Sequence, residues 1–245
     1  LALNGVLFAL NLQQMHQNSM TGSEERTVFE VLSEYGISLY TELLPDEEIM
    51  PRLTISVPEY TAEEISQQFF AGETVTEEKT EHGIRYTASA GSLVIQDGKG
   101  IYDPAQTGET ISGLGYDRAV QAAQTFLKSI PWMEQDMVLD QVKQAETGFT
   151  VSFYGTYEQR GVFADWCKIL VTENGVEQME FTTGEMTGFT GEEKEICRCD
   201  EALLTFLRSL QDQEKTPLSI ERIELRYDAQ EGEVLSAATQ INLVP

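Results

Sequence analysis

The chain has 245 residues, of which 41% are hydrophobic, and a formal net charge of −25. This length, with a mean hydropathy of −0.26, predicts a folded body that buries a substantial core, as one large domain or two small ones. The charge is spread evenly, because 18 acidic and 5 basic side chains give −13 over residues 1–115, and 23 and 11 give −12 over 116–245. Such a surface repels phosphate groups, which argues against nucleic acid and anionic lipid as partners.

The chain opens on a short apolar run, residues 1–12, that turns polar at Gln13. A transmembrane helix needs about 20 mostly apolar residues, whereas a run of about 10–14 is typical of a core helix or of the apolar part of a signal peptide. Three interpretations follow for this run: a core helix, the remnant of a processed signal, or the outer end of a membrane span that starts upstream.

The next segments predict a helix, a strand and a second helix. Apolar spacing places Val28, Leu32 and Tyr35 on one helical face, with Ser23 as the N-cap and Gly36 after the last turn. The segment 37–44 alternates as a strand does. A second helix is predicted from the capping box of Thr61 and Glu64 and from Gly72, which closes the helix.

Three strands are predicted after this second helix, and a linker follows them. The strands cover 74–81, 83–90 and 92–96, and the last one turns at Asp97-Gly98. The stretch up to Gly115 is rich in Gly, Thr and Pro, which predicts a domain boundary at residue 112.

The second half repeats the pattern of a helix followed by a meander. One helix has Ala119, Ala123 and Phe126 on one stripe, and a later one turns Leu203, Phe206, Leu207 and Leu210 inward. The predicted strands between and after them cover 137–144, 149–158, 162–172, 176–182, 219–230 and 233–245, with a hairpin turn at Asn174-Gly175. The predicted fold class is therefore α+β, in two or three small modules that each pack an antiparallel sheet against a helix. The predicted domains are 13–112 and 113–245, the second with two helix-meander units.

The sequence predicts no catalytic, cofactor-binding or metal-ligating residue, so we expect a protein that is not an enzyme. The two histidines, His16 and His82, lie in polar surroundings typical of a surface, and the chain lacks a nucleophile elbow, a P-loop and a two-histidine metal motif. With 41 Asp and Glu, adjacent carboxylates arise by chance. Examples are Glu24-Glu25, Glu63-Glu64 and Glu192-Glu193.

The three cysteines, Cys167, Cys197 and Cys199, do not define a redox compartment. A C-x-C pair is too close for an unstrained bridge, and no second pair completes a zinc site. Cys167, next to Trp166 in an apolar run, is predicted to be a buried thiol, and a link from it to the C-x-C pair stays open. For Trp132, packing in a core or domain interface is favoured over an exposed binding role.

Several stretches carry the pattern of a known family. In the first half these are FALNLQQM (8–15), LSEYGISLYTELL (32–44) and PDEEIMPRLTI (45–55). In the second half, residues 157–181 predict a hairpin with Gly161–Asp165 in its first strand and Asn174-Gly175 as the turn. These stretches resemble YycI-type regulatory proteins of the YycH/YycI family, whose recurring hairpin has a G-x-P-L-F-D-like strand where Gly161–Asp165 lies here. The likeness extends over most of the chain.

The resemblance implies a single-pass membrane protein whose folded part lies outside a Gram-positive-type cell. It also implies association with a YycH-like protein and with the cell-wall sensor histidine kinase of the WalK (YycG) type, without enzymatic activity. Residues 1–12 would then be the outer end of the transmembrane helix. Two alternatives remain: a secreted or surface PepSY-like module that binds a peptide or inhibits a protease through a sheet edge, and a hydrolase.

Overall fold

The computed structural model describes residues 22–44, 49–56, 59–81, 83–105, 110–131, 137–182, 184–210, 217–229 and 234–244. Strands predominate and helices pack on them, so the fold class is α+β, as predicted. The helices are α1 (Gly22–Glu34), α2 (Ala62–Phe69), α3 (Tyr116–Lys128) and α4 (Cys199–Ser209). The strands are β1 (Ile37–Leu39), β2 (Ile49–Ser56), β3 (Thr76–Thr80), β4 (Gly83–Ala88), β5 (Gly91–Gln96), β6 (Lys99–Pro104), β7 (Val138–Gln144), β8 (Gly148–Tyr157), β9 (Arg160–Thr172), β10 (Gly175–Thr182), β11 (Glu185–Glu195), β12 (Leu218–Ala229) and β13 (Val234–Val244).

The described residues form two compact units. The first unit comprises those up to Arg52 together with those of 189–226 and 236–245, and the second comprises 53–188 and 227–235. This division differs from the predicted domains 13–112 and 113–245, because residues on both sides of Ser112 belong to the second unit.

The second unit is built on antiparallel strands in the order β7-β8-β9-β10-β6-β5-β4-β3. Helices α2 and α3 bury their apolar faces in its core through Ile65 and Phe69 on one and Ala119 on the other. Aromatic rings fill the middle of this core: Phe181 stacks on Phe69 with ring centroids 5.3 Å apart, and Tyr102 lies 5.6 Å from Phe69. The core therefore draws on both halves of the sequence.

The local signals of this unit are confirmed. Thr61 accepts a hydrogen bond from the backbone N–H of Glu64, whose carboxylate accepts one from the N–H of Thr61, so the capping box is complete. These bonds hold the pKa of Glu64 below its usual value. Positive φ angles at Asp97 (48°) and Gly98 (73°) form the predicted turn, which now joins β5 to β6.

The predicted linker is wrong over residues 99–104, where the chain forms β6. This strand pairs with β5 on one side and with β10 on the other, with Tyr102 opposite Met179. Glycine is required there, because a side chain at Gly100 would collide with the Phe181 ring. One glycine of the stretch that suggested a linker, Gly100, is thus explained by close packing of strand against ring.

The first unit has a smaller, aliphatic core. Helix α1 ends where Gly36 adopts a φ of +75°, as predicted, and β1 then pairs in parallel with β12, Ile37 opposite Leu218. Helix α1 begins at Gly22, so the predicted N-cap Ser23 lies inside the helix. The buried members of this core are Leu32, Ile37, Cys199, Leu203, Leu207, Ile220 and Ile223.

Some predictions concern residues outside the described ranges. These are the apolar run 1–12 with its membrane interpretation, both histidines (His16 and His82) and Trp132. Among the helices that the structure describes, none combines the length and the apolar character that a membrane span needs.

Candidate functional site

The candidate site is an apolar groove between α1 and α4 in the first unit. Its volume is about 270 Å³. Both walls arise from helical spacing, since residues three and four apart share one side of a helix. The lining residues are Val28, Val31, Leu32, Leu203, Leu204 and Leu207, with Thr27 and Asp200 at the rim.

The groove lies directly over the core of its unit. Leu32 and Leu203 form its floor, because each is only 1% exposed and belongs to the aliphatic core. Leu204 is 41% exposed, so a large part of its apolar side chain is in contact with solvent. An apolar surface of this kind gains free energy when a second apolar surface removes it from water.

The rim of the groove is charged. Asp200 accepts a hydrogen bond from Arg198 Nε at 3.2 Å and another from the backbone N–H of Glu201 at 2.9 Å. Among the side chains that the structure describes, α1 carries Arg26, Glu30 and Glu34, which is −1, and α4 with Arg198 at its N-cap carries two acidic and two basic side chains, which sum to zero. The negative potential around the groove therefore comes mainly from the net charge of −25 of the whole chain.

A second notable group is a carboxyl at the edge of the other unit's core. Asp165 on β9 is 8% exposed, and burial raises its pKa to about 6. A side chain at Gly155 on the neighbouring strand would collide with this carboxylate, so glycine makes room for it. This acid lies within the predicted family hairpin, and its burial in the sheet suits a structural role.

The cysteines are thiols, and no disulfide joins them among the residues that the structure describes. Cys167 is fully buried, as predicted, and burial, with a smaller effect from Asp165, raises the pKa of its thiol. Cys199 is buried in the aliphatic core of the first unit, whereas Cys197 is exposed. The open alternative of a link to Cys167 is not formed in this structure.

Two of the carboxylate pairs lie on described elements of different units. Glu63 and Glu64 lie in the first turn of α2, where Glu64 completes the cap. Glu192 lies on β11 and makes an ion pair with Arg52 at 3.0 Å. Sequence reasoning missed the groove, although the Leu203-Leu204 pair placed one apolar residue off the inward stripe of α4.

The sequence matches no protein-family profile and no curated protein. Its fold is similar to that of YycH from Bacillus subtilis, with a TM-score of 0.51 and 16% identity over 82% of this chain and 53% of that chain. An uncharacterized protein from Eubacterium rectale is also similar, with a TM-score of 0.49 and 10% identity over 83% of this chain and 79% of that one. The chain thus spans about half of YycH and shares its fold.

Proposed function

We propose that this protein is a non-enzymatic, membrane-anchored regulator that acts on the outer side of a Gram-positive-type cell. Its target is a cell-wall sensor histidine kinase of the WalK (YycG) type, and its companion is a YycH-like protein. The observation that carries the proposal is the YycH-like fold over 82% of the chain. The independent resemblance of its sequence stretches to YycI-type proteins points to the same group.

The described surface supports action by contact. Six of the eight side chains that line the groove are apolar, and the groove opens beside the exposed Leu204. Surfaces of this kind bind protein segments by burying a few anchoring side chains. The buried acid Asp165 is not among these lining residues. It lies in the sheet of the second unit, on the same face of β9 as the buried Cys167 and Ile169.

Membrane anchoring rests on residues 1–12, whose apolar composition suits the outer end of a span. Asn4 and Asn11 within that run would then pair across a helix interface, since polar side chains hold membrane helices together. This part of the proposal places the folded units beside the extracellular part of the kinase.

The alternative of a module that binds a peptide at a sheet edge gains no support from β3. This strand lies at one end of the second unit's strand order, and all five of its residues are exposed. Its sequence, TEEKT, carries charges that discourage pairing with another strand.

The test is kinase-dependent reporter output in cells that carry the full-length gene with its natural start. Replacing residues 1–12 and any upstream apolar residues with an unrelated membrane span should weaken regulation strongly, because helix packing in the membrane is lost. The controls are His82→Ala and the pair Glu63→Gln with Glu64→Gln, which should leave the output near that of the wild type. A swapped span that regulates normally, together with a single polar substitution that abolishes regulation, would overturn the contact proposal.

A further inference from the structure

We propose that the groove between α1 and α4 binds a basic amphipathic helix of a protein partner, with the partner's leucine-type side chains seated between the two helices. This inference deepens the proposed function by naming the chemistry of the partner, and it rests on that function in assuming action by contact. It does not depend on whether the partner is the kinase itself.

The lining of the groove favours a protein segment over a small molecule as the occupant. Small-molecule sites enclose most of their ligand and carry a few precisely placed polar groups that orient it. This groove holds about 270 Å³ and is lined mainly by aliphatic side chains. It offers little polar chemistry with which to orient a metabolite, and its volume suits one or two anchoring side chains.

The shape of the walls favours a helix over an extended peptide. An extended peptide adds to a sheet edge through backbone hydrogen bonds, whereas a helix lays its apolar face in a groove. Both walls here are helices, whose backbone groups are paired within the helix except in the end turns, so they recognise mainly side chains. Val28, Val31 and Leu32 on one wall and Leu203, Leu204 and Leu207 on the other form two apolar ridges for such a face.

The negative charge of this chain indicates which residues should flank the apolar face of the partner helix. The described charges of the two walls nearly cancel, but the chain carries a net charge of −25, so acidic flanks would be repelled and Lys or Arg flanks attracted. The same potential argues against an anionic membrane surface as the occupant. The attraction should weaken as salt is added, because exposed charges are screened.

The experiment uses the full chain and a fluorescent synthetic peptide of about 18 residues, or about five helical turns, with Leu on one face and Lys on the other. Anisotropy titrations at physiological ionic strength should give saturable binding. Leu204→Lys should weaken binding about tenfold or more, because it removes an exposed apolar contact and adds a repelling charge. Ile101→Lys is the matched control, since Ile101 is 40% exposed but lies on β6, and this variant should bind as the wild type does.

Two further peptides test the chemistry. A scrambled peptide of the same composition, and one with Glu in place of Lys, should each bind about tenfold more weakly or worse. Leu204→Ala accompanies Leu204→Lys, because it truncates an exposed side chain without adding charge, and it should also weaken binding if the wild-type fold is retained by circular dichroism.

Equal loss in Ile101→Lys, no loss in either Leu204 variant, or equal binding of the scrambled or Glu peptide would overturn the inference. So would binding that begins only when Leu7, Phe8 and Leu10 are changed to Glu, because the chain's own first segment would then be the occupant. A dimer that Leu204→Lys converts to monomer, with no peptide binding, would assign the groove to a second copy. Failure of the peptide arm leaves the reporter result unchanged, so the two proposals fail separately.

Discussion

The two units differ in the side chains that fill their cores, and the first unit has an apolar groove beside its core. The second unit has aromatic rings in its core, where Phe69 contacts both Tyr102 and Phe181. The first has an aliphatic core and keeps an apolar groove of about 270 Å³ beside Leu203. Binding elements are commonly drawn from the less stable parts of a protein. The comparison suggests that stability resides mainly in the second unit and contact mainly in the first.

The largest expected effect comes from truncating the centre of each core. Phe181→Ala should lower the free energy of unfolding by about 3–5 kcal/mol, because it removes a fully buried ring. Leu203→Ala should cost less, near the lower end of about 2–5 kcal/mol, because the groove beside it lets the walls collapse. Urea unfolding followed by circular dichroism measures both, and tryptophan fluorescence follows the range 53–188, which holds both tryptophans.

Matched surface variants control these measurements. Phe189→Ala and Leu204→Ala remove the same side chains from positions that are 36% and 41% exposed, and each should cost far less than its buried counterpart. A cost for Leu203→Ala equal to that of Phe181→Ala would break the comparison between the units.

Asp165→Asn should stabilise the protein at neutral pH. Burial raises the folded-state pKa of Asp165 to about 6, from 3.8 when exposed. The protonated carboxyl therefore makes its full contribution to the free energy of unfolding below pH 3.8, and this contribution is lost as the pH rises through about 6. The difference of about 2 pH units corresponds to about 3 kcal/mol at pH 7. Unfolding of variant and wild type across pH 4–7 measures it, and the difference should vanish toward pH 4. A difference that is constant with pH would mean that shape, not charge, is responsible.

The smallest effect is a difference in thiol accessibility without any substitution. Pulse labelling with N-ethylmaleimide at increasing urea should modify Cys197 at once, because it is exposed. Cys199 should be labelled at a lower urea concentration than Cys167. Cys199 lies in the aliphatic core of the first unit, whereas Cys167 lies in the larger, aromatic core of the second unit. Mass spectrometry of the peptides identifies each site. Simultaneous labelling of the two buried thiols would indicate one cooperative transition for both units.

Local features of the fold were predictable from the sequence because neighbouring residues determine them. The capping box at Thr61 and Glu64 and the turns at Asp97-Gly98 and Asn174-Gly175 need only a few residues to form. The spacing of α3 likewise placed Ala119 and Ala123 in the core correctly.

Features that depend on distant partners were not predictable. Strand β6 lies in a stretch typical of linkers, and it is held as a strand between its neighbour β5 and the distant β10. Strand β11 was missed because Gly188, Gly191 and many Glu residues have a low propensity for strands. The groove joins Val28 to Leu203, which are 175 positions apart in the sequence, so no periodicity within one helix could indicate it.

The pairing of β6 with β10 also implies a delay during synthesis of the chain. Tyr102 pairs with Met179, which follows it by 77 residues. At about 5–20 residues per second, one edge of β6 therefore stays unpaired for about 4–15 s. An unpaired apolar edge invites aggregation during such an interval. Lys99 and Asp103 flank the apolar pair at the centre of β6, and Pro104 ends the strand. We expect these three residues to act as gatekeepers that keep the nascent meander soluble until β10 emerges from the ribosome.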